Sequence, residues 1–133
     1  MGCDIHLFVE TRIDGQWHPK APPPSKDFCD FGRVRWDFMR SGAAFDLMAG
    51  AGKDRTVTPL AEGRGIPADL SDEVRSFYDP DDVGEFLHTH FTLAELRTLS
   101  GKEGNIDRLI QRIDSVCAGL SDNDVRLIMW FDN

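Results

Sequence analysis

Three of the four histidines in this 133-residue chain stand in two short units, Asp4-x-His6 and His88-x-His90. Residues two apart on an extended segment project from the same side, so each unit is a ready bidentate pair. Brought together, the three imidazoles and the Asp4 carboxylate make an N/O donor set suited to Zn²⁺, or to an open Mn²⁺, Fe²⁺ or Ni²⁺ site. A metal held there with one position open would lower the pKa of a bound water and generate a nucleophile. Asp4 has a second use as the acceptor that orients His6. The competing reading is structural: His6 bonds within a strand pair, while His88 and His90 cap a loop or face water. Arg33 and Arg35 flank Val34 as a candidate anion-binding pair or as solvated cations, and Asp132 is a candidate neighbour of Asp4 and His6 near the other end of the chain.

Other catalytic patterns are missing. There is no GxSxG and no Cys-His signature, and Asp4 next to Cys3 raises rather than lowers a thiol pKa. Gly50-Ala-Gly-Lys53 lacks the spacing and the preceding strand of a phosphate loop. Asp79-Pro-Asp-Asp82 is not followed by the twelve-residue loop and closing glutamate of an EF-hand, and reads as an acidic turn. Phe8, Phe91 and Trp130 are able to stack on a base, but their settings suit a core.

The elements that must position the histidines begin with residues 1–10, where Cys3, Ile5, Leu7 and Val9 alternate with Asp4, His6 and Glu10. That is a half-buried strand with a wet or functional face opposite its core face. It continues to Ile13, Asp14-Gly15 supplies a tight turn, and Gln16-Trp17-His18 begins the return strand. Pro19 and Pro22-Pro23-Pro24 end that strand in a stiff extended excursion. Met39, Ala43 and Leu47 recur at helical spacing from Trp36, with Ser41 as an internal cap. Residues 53–70 read as an irregular connection with a short strand at Arg55–Thr58, and Ser71 caps a helix through Phe77.

Thr92 and Glu95 form a capping box, which starts a helix at Leu93 and leaves His88 and His90 on the extended approach to it. That helix ends near Gly101, and a second, from Ile106 to Ala118, carries the apolar stripe Ile106, Leu109, Ile110, Ile113 and Val116. The apolar run Val125–Phe131 reads as a central strand. The expected fold is α+β: a small, mostly antiparallel sheet, with the N-terminal hairpin paired to the C-terminal strand, covered by three to four helices. The helices should cover the odd-numbered face of the first strand.

The length suits one domain over residues 1–133. A formal net charge of -8 with 29% charged residues argues against non-specific nucleic-acid or anionic-membrane binding and permits a basic protein partner. Cys3, Cys29 and Cys117 are an odd number without CxxC spacing and read as reduced thiols. With no basic-then-apolar leader and no long apolar run, the expected location is a cytoplasm.

Several strings taken together resemble a family of small phage and prophage proteins: Met1–Glu10, Asp14-Gly-Gln-Trp17, Arg64–Val74, His88-x-His90-x-x-Thr-Leu-Ala-Glu-Leu96 and Val125–Asn133. The resemblance implies an origin in a phage acting in a host bacterial cytoplasm, and no activity. Relatives carry a His-Ser-His-like element where this chain has His88-Thr89-His90, and a longer Gly- and Asp-rich loop where residues 50–60 are short here. The two functional expectations are a phage accessory protein that binds a host protein or complex, such as a defence nuclease it inhibits, and a metal-dependent hydrolase of a phosphoester or nucleotide.

Overall fold

The computed structural model describes residues 4–23, 34–36, 42–50, 56–61, 63–78 and 88–132, with the side chains of residues 4, 5, 42, 131 and 132 left aside. The expected α+β fold is what forms, as a five-stranded antiparallel sheet with four helices. β1 (Asp4–Ile13) turns at Asp14-Gly15 into β2 (Gln16–Lys20). Asp14 and Gly15 have φ of 52° and 80°, the left-handed pair that a two-residue hairpin needs to match the strand twist. β3 (Arg35–Trp36) lies against β1 at Leu7 and Phe8, just beyond the reach of β2.

The last strand, β5 (Val125–Asp132), occupies the other edge of β1 in unbroken antiparallel register from Asp4↔Asp132 to Thr11↔Val125. β4 (Thr89–Thr92) flanks β5, so the path across the sheet is β2-β1-β5-β4. β5 is central, as its apolar run implies, and every residue from Val125 to Trp130 is buried.

The helices pack on the odd-numbered face of β1. They are α1 (Gly42–Ala49), α3 (Leu93–Arg97) and α4 (Gly104–Val116), and they close a core over Leu7, Val9, Phe91, Leu127 and Met129. Each large apolar side chain buried there contributes about 1.5–3 kcal/mol relative to exposure. α4 buries Ile106, Leu109, Ile110 and Ile113, the stripe visible in its sequence. It begins two residues before the expected Ile106, because the Glu103 carboxylate accepts from the amides of Asn105 (2.7 Å) and Ile106 (3.0 Å). The capping box of α3 is present: Thr92 Oγ1 accepts from Glu95 N at 3.2 Å, and Glu95 Oε1 accepts from Thr92 N at 3.1 Å.

Four expectations need correction. Trp36 is a strand residue paired with Leu7, and α1 buries Ala44, Phe45 and Met48 rather than a stripe through Ala43, which is exposed. Burial by neighbouring elements, not the spacing of Met39, Ala43 and Leu47, selects that face. Met39 and Ser41 lie outside the described residues. Residues 56–58 form no strand. α2 (Asp72–Arg75) is capped by Ser71 but stops short of Phe77. Pro19 does not end β2 but lies inside it. A two-residue turn makes Ile13↔Gln16 a hydrogen-bonded pair, so His18 and Lys20 face β1 while Trp17 and Pro19 turn their main-chain groups outward. Proline is tolerated there because the ladder needs no N–H from it.

A fifth correction concerns the second face of β1, expected to be wet or functional: over Phe8 and Glu10 it is covered. Phe8 and Glu10 are 0% exposed. Residues 63–78, including α2, cross this face as a strap and bury Leu70 and Val74 against Phe8, Ile128 and Trp130. One end of the strap is tied to β4, where Gly65 N donates to His88 O at 2.8 Å. Beside it, Arg64 clasps the Glu95 carboxylate with Nη1 at 2.8 Å and Nη2 at 2.6 Å. The Arg64 bond, with help from Thr92, holds the Glu95 pKa below its usual value. A depressed carboxylate stabilises the fold above the unfolded pKa of about 4.3 and loses that stabilisation as pH falls through the folded value. Arg64→Gln should therefore cost about 0.5 kcal/mol at pH 7, a modest figure for a pair one-third exposed. Urea melts of the two proteins should differ at pH 7 and converge at acid pH, and a pH-independent gap would reject the assignment.

Candidate functional site

The sheet register decides where the histidines go. His6 is opposite Trp130 across β1 and β5, and His90 is opposite Ile128 across β4 and β5, which puts His88 level with Trp130. All three histidines therefore belong to the strap-covered face, and the Trp130 indole stands between His6 and His88. His6 stacks on Trp130 with ring centroids 5.5 Å apart and planes inclined by 13°. Tyr78 from the strap meets Trp130 and His88 edge-on, at 5.3 Å and 5.4 Å. Adjacent strands are about 4.8 Å apart, so the backbones of His6 and His88 are separated by roughly 10 Å.

The His90 ring is turned to the strap, with Nδ1 at 2.9 Å from Gly65 O. A carbonyl only accepts, so Nδ1 carries the proton in this bond. His88 is different: its Nε2 is buried with no hydrogen-bond partner among the described residues, and burial pushes its pKa below the usual histidine value. Between the two, the Thr89 hydroxyl donates to Ala61 O.

The structure thus brings His6, His88 and His90 to one face but not to one point. Among the described residues no group of three His, Cys, Asp or Glu side chains is close enough to hold a metal ion. Asp4 and Asp132 are register partners through their backbones, a pairing the expected fold allowed without setting its register, and their side chains are among those left aside. Arg35 is exposed in β3 opposite Phe8, whereas Arg33 lies outside the described residues, so the proposed pair of arginines has only one placed member. Cys117 is buried, and burial raises its thiol pKa, which suits a structural thiol rather than a nucleophile.

The polar constellation that does assemble is one the sequence reading missed. Glu10 and Arg126 are cross-strand partners on β1 and β5. Arg126 donates to Glu10 Oε1 from Nε at 2.8 Å, with Nη2 2.6 Å from the same oxygen. Glu10 Oε2 accepts from Ser71 N at 2.8 Å. Arg126 also reaches the strap, through Nη1 to Asp69 Oδ1 (2.8 Å) and Nη2 to Asp69 O (3.2 Å). The Trp17 ring lies 4.0 Å from the Arg126 guanidinium carbon and 5.2 Å from that of Arg12, a cation–π arrangement. The bond from Arg126 holds the Asp69 carboxyl below its usual range. Part of its sequence signal was present: Arg126 is a lone charge inside a strand read as buried, whereas Glu10 was read on the wet or functional face of β1.

Beyond this cluster a cleft of about 440 Å³ opens between the hairpin and the strap. Trp17, His18 and Pro19 line one side, and Asp69, Ser71, Asp72 and Glu73 the other. Asp72 and Glu73 are exposed. Both line the cleft, and their carboxylates, unlike that of Asp69, have no ion pair among the described residues. The arrangement is able to hold positive charge.

Glu10 is fully buried and the Arg126 side chain is 7% exposed, so removing one partner strands a charge. Glu10→Gln should cost about 3 kcal/mol, while Glu10→Leu with Arg126→Met should recover much of that loss. Urea melts of the two single variants and the double variant check this, and additive losses would reject the pairing. Comparison with protein-family models, with curated proteins and with solved structures finds no match to this chain.

Proposed function

We propose that this protein works by binding a basic macromolecular surface, as a phage or prophage accessory protein acting on a host protein or protein complex, such as a defence nuclease it inhibits. The observation that carries this reading is the pair of unengaged carboxylates, Asp72 and Glu73, beside an open cleft in a chain of net charge -8. The cluster of buried Glu10 and Arg126 with exposed Asp69 supports it from the other side, because its groups satisfy one another and leave little capacity for chemistry. An acidic surface competes with nucleic acid for a groove lined by lysine and arginine, and steers its own approach to that groove.

Exposed charges are screened over about 8 Å at physiological salt, so capture of a host partner should weaken as salt rises. Asp72→Lys with Glu73→Lys should lower capture about tenfold at low salt, a typical loss for juxtaposed like charges. Pull-downs from host lysate across a salt series check both points. Capture indifferent to salt and to the reversal would sink the reading.

A metal-dependent hydrolase is the second reading, favoured by the buried, unpartnered Nε2 of His88 beside His90. His6, His88 and His90, with Asp4, are the residues the sequence offers to a zinc or another divalent transition metal, which would supply an activated water. Holding one ion would require the histidines to leave the places they have here, with Trp130 between His6 and His88. Elemental analysis of tag-free protein should then find about one metal per chain, lost in His88→Ala/His90→Ala. Metal-free protein would leave these histidines structural.

A further inference from the structure

The binding reading leaves open which part of the surface engages the partner and in what form. β2 is the end strand of the sheet path, and among the described residues no strand covers its outer edge. Trp17 and Pro19 turn their main-chain groups to that edge, as the hairpin register requires. Pro19 has no N–H, so the edge presents one donor, from Trp17, and the carbonyls of both residues. The same two residues line the 440 Å³ cleft whose far wall is Asp69, Asp72 and Glu73.

Three features coincide here: a strand edge that no described strand covers, a cleft beside it, and carboxylates across from it. Among the described residues Arg126 is already engaged by Glu10 and Asp69, Arg12 is paired with Asp124 at 2.7 Å, and Asp72 and Glu73 have no ion pair. Arg75, at the end of α2, is turned to Ala68 O at 3.2 Å. The excess of negative charge is therefore local to the cleft and not only a property of the whole chain.

We propose that this cleft is the docking groove for an extended, lysine- or arginine-bearing segment of a protein partner. The inference rests on the binding reading above. The segment's main chain pairs with Trp17 at the edge of β2, and alternate side chains carry their charge to Asp72 and Glu73. An extended chain places every second side chain on one side at a repeat of about 6.8 Å, so a basic residue at every other position presents a row of cations to that wall. The buried Glu10–Arg126 pair fixes the wall in place, because Asp69 and Ser71 are both bonded to it.

The test uses the intact protein and a short peptide of alternating lysine and threonine. The peptide should bind, slow hydrogen exchange at the Trp17 amide, and lose about tenfold in affinity to Asp72→Asn/Glu73→Gln. Gln111→Lys/Ser115→Lys, on the exposed side of α4 across the sheet, changes net charge by the same amount and should leave affinity within about twofold. A backbone N-methylated peptide of the same sequence should bind more weakly. An equal loss in both charge-matched variants overturns the groove while leaving the general electrostatic reading standing. The groove is likewise overturned if the peptide does not bind, if N-methylation costs nothing, or if spermidine displaces the peptide charge for charge, which would mark a site for free cations. Host capture indifferent to salt would instead overturn the broader reading, so the two failures are distinguishable.

Discussion

The pairing of β1 with β5 is the constraint on which the rest of the structure depends. It joins residues more than a hundred positions apart in an unbroken register, and both strands are buried on both faces over most of their paired length. Closing so long a loop is entropically costly, and ladder hydrogen bonds alone offset little of that. The compensation is apolar: Leu7, Val9, Leu127 and Met129 meet the helices on one side, while Phe8, Ile128 and Trp130 meet the strap on the other. A one-residue slip would exchange these two sets and place Glu10 and Arg126 on opposite faces, which makes the register unusually well specified.

Glu10 and Arg126 show how a polar pair is held inside such a sheet. Cross-strand register supplies the contact, the strap supplies Ser71 N and the Asp69 groups, and Trp17 covers the guanidinium. A buried ion pair of this kind is weak evidence for stability against an apolar alternative. Its clearer effect is positional. It ties β1, β5 and the strap to one another, and in doing so orients the wall of carboxylates opposite the outer edge of β2. The histidine face has a comparable logic built from aromatic contacts, where Trp130 touches His6 and Tyr78, and Tyr78 reaches His88.

Local chemistry was readable without coordinates wherever it is carried by neighbours in the chain. The Asp14-Gly15 turn, the Thr92–Glu95 capping box, the Ser71 cap and the stripe of α4 all formed, because each depends on residues within a turn or two of one another. The central position of the last strand was legible from Val125–Phe131, since a run apolar at every position must be covered on both faces. The helix read from Trp36 formed over Gly42–Ala49, but its expected start was wrong for the opposite reason. Trp36 is claimed by a long-range pairing with Leu7, and no spacing within residues 36–47 announces that partner.

By itself the sequence determined the local elements, the α+β class and which face of β1 the helices cover, because periodicity, caps and turn residues act over short distances. Only the tertiary structure decided that the even face is covered too, that Trp130 stands between His6 and His88, and that Glu10 meets Arg126. These outcomes follow from sheet order and register, which are set by the joint burial of side chains far apart in the chain. The cleft has the same origin, since Trp17 and Glu73 come to face one another only after the strap has crossed the sheet.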